Sequence, residues 1–233
     1  MPSRPDREGT AMVDSVRDRA DRAAAQSRRF AARGEYEKAI ELQRGAIDYW
    51  QWDLAAAQRG DDVPVGVLRE AAHRLSNNWG KLGGVYRRAG RLPAALEAYS
   101  EGHRIETEWG LDDSYNLTNS ITIRVLIDPA RLPDLAGEID QAIELVRRQV
   151  ETTRRDQWWA WADLGQLFLL RGRVSEAIWA YHQLARTHAR PIDYESITAV
   201  LRALERSLAA SDPDHAALCT QALTWVEKGR SER

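Results

Sequence analysis

Residues able to do chemistry are present but not grouped for it. Five histidines (His73, His103, His182, His188 and His215) show neither H-x-x-H nor H-E-x-x-H spacing, and there is one cysteine, so the sequence predicts no zinc site. Neither a G-x-x-x-x-G-K-[ST] phosphate loop nor a G-x-G-x-x-G turn occurs, and Gly80, Gly83 and Gly84 fall inside a predicted helix. Cys219 lies on an apolar helical face, where a buried structural thiol is expected. No Ser, His and Asp are spaced as a nucleophilic triad. The chain is therefore expected to be non-enzymatic and to need no cofactor. Its remaining polar chemistry is recognition: clustered cations at Lys81, Arg87 and Arg88, and exposed aromatics around Trp158 and Trp159.

Composition narrows the partners. At 233 residues the chain is long enough to bury a large core, and 43% hydrophobic residues exclude a disordered chain. A net charge of −2 argues against general nucleic-acid binding, whose footprint is strongly basic. The single cysteine fits a reducing compartment. The first residues, MPSRPDREGT, lack the apolar segment of a signal peptide, and no run of about 18 apolar residues exists. These features predict a cytoplasmic protein with no membrane span.

The elements that must position the polar residues are helices. In the stretch from Trp79 to Trp109, Trp79, Leu82, Gly83 and Tyr86 recur at spacings of three, four and seven, one face of a helix. After Gly90, Ala95 and Tyr99 stand four apart on a second helix, opened by Leu92-Pro93, where proline forfeits no hydrogen bond. This W-x2-L-G-x2-Y then A-x3-Y order resembles the tetratricopeptide repeat (TPR), a helix–turn–helix unit of about 34 residues. Trp161, Leu164, Gly165, Phe168, Gly172, Ala177 and Tyr181 repeat it position for position. A degenerate first copy places Phe30, Gly34 and Ala39 in the Tyr86, Gly90 and Ala95 slots.

The expected organisation is all-α, a TPR-like helical-repeat solenoid of about five antiparallel pairs. It comprises a flexible N-terminus over 1–12 and one superhelical domain over 13–233, with repeats near 20–60, 64–109, 113–152, 157–190 and 193–229. Asp61-Asp62-Val63-Pro64 reads as a cap and first-turn proline, and Pro133 as the start of a helix ending near Glu151. The β-branched run Ile121, Thr122, Ile123 and Val125 is assigned to a helix, because a lone strand there would have no partner. Trp50 and Trp52 are expected to pack between repeats.

The TPR resemblance implies a binding scaffold with a concave face lined by the first helix of each pair. It places Arg28, Asn77, Lys81, Arg87 and Arg88 as partner-binding residues, a cationic surface suited to an acidic protein or peptide. The carboxylate clamp of chaperone-binding TPR proteins is not implied, since its slots hold Ala24 and Arg28. From Ser114 onward the chain also resembles the TPR region of apoptosis-signal-regulating MAP-kinase-kinase-kinases and their bacterial relatives. The matching pieces are Tyr115-x3-Asn119, Trp159-x2-Ala162-x-Leu164-Gly165-Gln166 and Leu169-Leu170-x-Gly172. That resemblance implies a signalling or defence role and a nucleotide-like small ligand at Tyr115, Asn119, Arg124, Trp159, Asp163 and Gln166.

Overall fold

The computed structural model describes residues 7–231, with side chains over 17–228. Among the described residues there are ten α-helices and no strand: α1 (Arg7–Ala32), α2 (Tyr36–Gln58), α3 (Val65–Arg88), α4 (Leu92–Glu108), α5 (Tyr115–Ile127), α6 (Ala136–Glu151), α7 (Trp158–Leu170), α8 (Val174–Leu184), α9 (Pro191–Leu208) and α10 (Pro213–Ser231). The fold is all-α and built of helix pairs, α1 on α2, α3 on α4, α7 on α8 and α9 on α10. The chain divides into two compact units, one ending at Asn116 and the other beginning at Leu117. Of the expected flexible stretch 1–12, residues 1–6 lie outside the described residues, and α1 already includes Arg7.

Three of the first helices end in the same turn, which makes the repeat visible in the backbone. Gly90 has φ +75° and Gly172 has φ +72°, a left-handed conformation that a side chain disfavours. The residue after each then donates back to the helix, Arg91 N–H to Tyr86 O at 2.9 Å and Arg173 N–H to Phe168 O at 2.8 Å. Gly34 and Glu35 close α1 in the same way, with Glu35 N–H to Phe30 O at 3.0 Å. The returning helix therefore leaves at a fixed angle in the first, second and fourth pairs.

Pair packing rests on small-to-large contacts. Ala95 and Tyr99 on α4, and Ala177 and Tyr181 on α8, are fully buried. Tyr99 lies against Gly83 and Tyr181 against Gly165, where an added Cβ would come within 2.8 Å and 2.6 Å of the respective rings. The core of the second unit runs through Ile121, Ile139, Ile143, Leu164, Phe168, Tyr181, Leu201 and Cys219.

Local details differ from the sequence expectation where proline and acid signals compete. Asp62 takes φ +59°, and Pro64 occupies the position before α3 rather than its first turn. Pro129–Arg131 and Pro133–Leu135 form two short 3-10 turns, and α6 starts at Ala136, because closely spaced prolines interrupt continuous α-type bonding. The β-branched run is helical, within α5, and the Asp113 carboxylate caps it by accepting from Tyr115 N–H at 3.0 Å. Trp50 is buried as a packing residue, but Trp52 is 42% exposed, since two residues along a helix is about 200° of rotation.

Candidate functional site

The partner-binding residues predicted from sequence all fall in the first unit. Asn77, Lys81 and Arg88 recur at helical spacing on α3, with Asn77 and Arg88 exposed and Lys81 half-buried. Arg28 is exposed on α1. Burial lowers the Lys81 ammonium's pKa, and the Arg28 guanidinium pushes it lower while Asp21 opposes both. Arg28 and Lys81 therefore form one positive region contributed by two helices. Arg87 does not join it: one residue before Arg88 on the helix, it points about 100° away and is half-buried. Among the described residues, none of Arg28, Lys81, Arg87 and Arg88 is in an ion pair, whereas Arg74, Arg91 and Arg104 of the same unit each are.

The floor beside this stripe is made of glycine. A Cβ on Gly84 would sit 3.5 Å from the Arg88 guanidinium, 3.5 Å from the Tyr99 hydroxyl and 4.0 Å from the Tyr115 hydroxyl. Gly80 lies under the Tyr115 ring, at 2.9 Å by the same measure. Tyr115, expected to bind a small ligand, thus lies along the Gly80–Gly84 edge of α3 in the first unit.

The other five residues of the predicted ligand set belong to the second unit. Arg124 is paired with Glu138, and Gln166 donates to the Thr122 hydroxyl. The Arg154 guanidinium sits 4.7 Å from the centroid of half-buried Trp159. Asn119 and Asp163 are buried. Asp163 lies close enough to Tyr181 for its charge to raise the phenol's pKa, after burial and Cys219 have done so more strongly. Arg124, Gln166 and Trp159 are thus engaged by neighbouring side chains.

A buried polar network escaped the sequence reading. Glu106 on α4 is 2% exposed, and its Oε1 accepts from Asn116 Nδ2 at 2.6 Å, which also donates to Ser76 O at 3.2 Å. His103 Nδ1 stands 3.5 Å from the other carboxylate oxygen. The signal was available: Glu106 continues the buried stripe Ala95, Tyr99 and Gly102 at helical spacing. Gly102 is required there, since a Cβ would meet the Asn116 amide at 2.5 Å.

Comparison with known proteins gives structural likeness only. No family model matches the chain, and no curated protein matches it. Among solved structures it is similar to BtubC (BKLC) from P. vanneervenii, at 17% identity over 95% of this chain and 93% of that one, TM-score 0.42. It is also similar to a chain from Podosopora anserina described as a kinesin light chain with nearly identical TPR-like repeats, at 17% identity over 93% of this chain and 97% of that one, TM-score 0.40. A third similarity is to the TPR2AB domain of yeast Sti1 in complex with pHSP90, at 15% identity over 89% of this chain and 98% of that one, TM-score 0.24. The repeated glycine–tyrosine crossings and identical helix ends define the class from this chain's own contacts, an all-α helical-repeat protein of TPR-like pairs. Among the described residues no helix is long and apolar enough to cross a membrane, and no cluster of His, Cys, Asp and Glu could hold a metal ion.

Proposed function

We propose that the first unit is a non-enzymatic binding module whose α1–α3 face recognises an acidic peptide segment of a protein partner. One observation carries this reading: Lys81 lies near Arg28 and at helical spacing from Arg88, and none of the three has an ion-pair partner among the described residues, although Lys81's charge is disfavoured where it stands. A cation kept against its own desolvation cost, beside an exposed Asn77 and a tyrosine, suits carboxylates arriving from outside. The small-ligand reading draws less support, since Arg124, Gln166 and Trp159 are engaged by Glu138, Thr122 and Arg154.

The test uses a fluorescently labelled octapeptide of glutamate and glycine and reads its anisotropy with the full chain. Charge reversal at Lys81→Glu with Arg88→Glu is expected to weaken binding by about tenfold or more, with salt doing the same to the wild type. Unchanged affinity in the folded double variant would refute this assignment, as would a wild type that ignores the peptide.

A further inference from the structure

The two strong repeats differ at one position that decides whether a tryptophan is covered. Aligning Trp79 with Trp161 and Tyr99 with Tyr181 puts Glu97 of α4 in register with Trp179 of α8. In the second unit, Trp179 lies edge-on to Trp161, with ring centroids 5.6 Å apart and planes at 79°. It stays 47% exposed while covering its partner, and the Trp161 indole N–H donates to Arg155 O at 2.7 Å. In the first unit Glu97 cannot supply that cover. A cleft of about 620 Å³ opens there between α2 and α4, with Trp79, Leu82 and Tyr86 of α3 in its lining. The Trp79 indole N–H is buried and has no hydrogen-bond partner among the described residues.

The charges around this cleft select what fills it. Asp48 on α2 and Glu97 on α4 line it, are both exposed, and are in no ion pair among the described residues. Glu101 adds a third carboxylate, shared with Arg104. The cation in the lining, Arg44, is held by a 2.7 Å bond to the Tyr86 hydroxyl. The cleft is thus net acidic above an aromatic and aliphatic floor.

We propose that the α2–α4 cleft over Trp79 is a second recognition site, which takes an arginine side chain from a basic peptide segment of a partner protein. A guanidinium is planar and weakly hydrated, so it can occupy the place that the Trp179 indole fills in the other repeat. Unlike an indole it also pairs with Asp48 and Glu97. A lysine ammonium would satisfy the carboxylates but leave the flat surface of Trp79 poorly covered. This site is on other residues than the α1–α3 face and takes a partner segment of opposite charge.

The experiment is calorimetric titration of the full chain with an amidated hexapeptide, Gly-Arg-Gly-Gly-Arg-Gly, against its lysine and glutamine counterparts. Glu97→Trp recreates the Trp161–Trp179 arrangement, and is expected to weaken arginine-peptide binding by about tenfold or more. Asp48→Asn with Glu97→Gln leaves the cleft open but neutral, and is expected to weaken it by about fivefold. Circular dichroism checks that each variant is folded, and the surface pair serves should Glu97→Trp fail to fold. The Lys81→Glu, Arg88→Glu variant should keep arginine-peptide binding, which separates this site from the α1–α3 face. Binding undiminished in both cleft variants overturns the proposal. So does a wild type that binds the arginine peptide no better than the lysine or glutamine one.

Discussion

Tyr99 lies against Gly83, so close that a Cβ on the glycine would stand 2.8–2.9 Å from three of its ring atoms. Tyr181 and Gly165 repeat the relationship at 2.6 Å, 82 residues along the chain by the register of Trp79 and Trp161. The tyrosine is fully buried in both pairs, so it cannot swing aside without leaving the core.

Gly83→Ala should therefore destabilise the protein by about 1–3 kcal/mol, as overpacking does. Gly45, inside α2 with nothing within 4 Å of its Cβ position, provides the contrast. Gly45→Ala should stabilise by about 0.5–1 kcal/mol, through helix propensity alone. Urea unfolding of both variants checks the pair; equal effects would mean that the crossing is not tight.

Glu106 should make stability fall with rising pH. Burial raises its pKa above the ordinary carboxylate value, the charge of Asp113 adds to this, and the hydrogen bonds from His103 and Asn116 oppose it. An acid with a raised folded pKa stabilises fully below its unfolded pKa, and that contribution is lost as pH rises through the folded value. Glu106→Gln stays neutral and keeps an acceptor for Asn116. Its Tm should match the wild type near about pH 4 and exceed it near about pH 8. A constant difference across that range would show that Glu106 does not titrate in this way.

Lys81→Met should raise Tm at neutral pH while weakening acidic-peptide binding. Its ammonium is disfavoured first by burial and then by Arg28, so the charged form costs stability at every pH below its lowered pKa. Methionine keeps the packing of the stem without the charge. Thermal melts beside the anisotropy assay check both halves, and a lower Tm would show that the charge is stabilising where it stands.

Cys219 should be inert in the folded protein. It is 1% exposed, and burial, with a smaller contribution from Glu205, pushes its thiol up to about 12. A disulfide reagent at about pH 8 should react with it only after denaturant is added. Rapid stoichiometric reaction without denaturant would place the thiol at the surface.

The sequence alone determined the helix pairs. Trp79, Leu82, Gly83, Tyr86, Ala95 and Tyr99 lie within one repeat, and their contacts are made across a single turn, so spacing and residue size suffice to predict a close helix crossing at Gly83, while the side chain that meets the glycine, Tyr99 and not the small Ala95, is a finding of the structure. The same holds for Gly165 and Tyr181. It determined the cationic stripe too, because Asn77, Lys81 and Arg88 sit on one helix whose period is known.

Only the tertiary structure decided which polar groups are available and which are taken. Gln166 meets Thr122 from 44 residues away, Asn116 meets Ser76 from 40, and Arg124 finds Glu138 across a proline-broken connection. No periodicity within a helix encodes such meetings, since they depend on how separate helices are placed. The cleft over half-buried Trp79 is of the same kind. Its tryptophan is matched by Trp161, and the difference lies in a residue on the neighbouring helix, Glu97 against Trp179, whose consequence appears only when the two helices are packed.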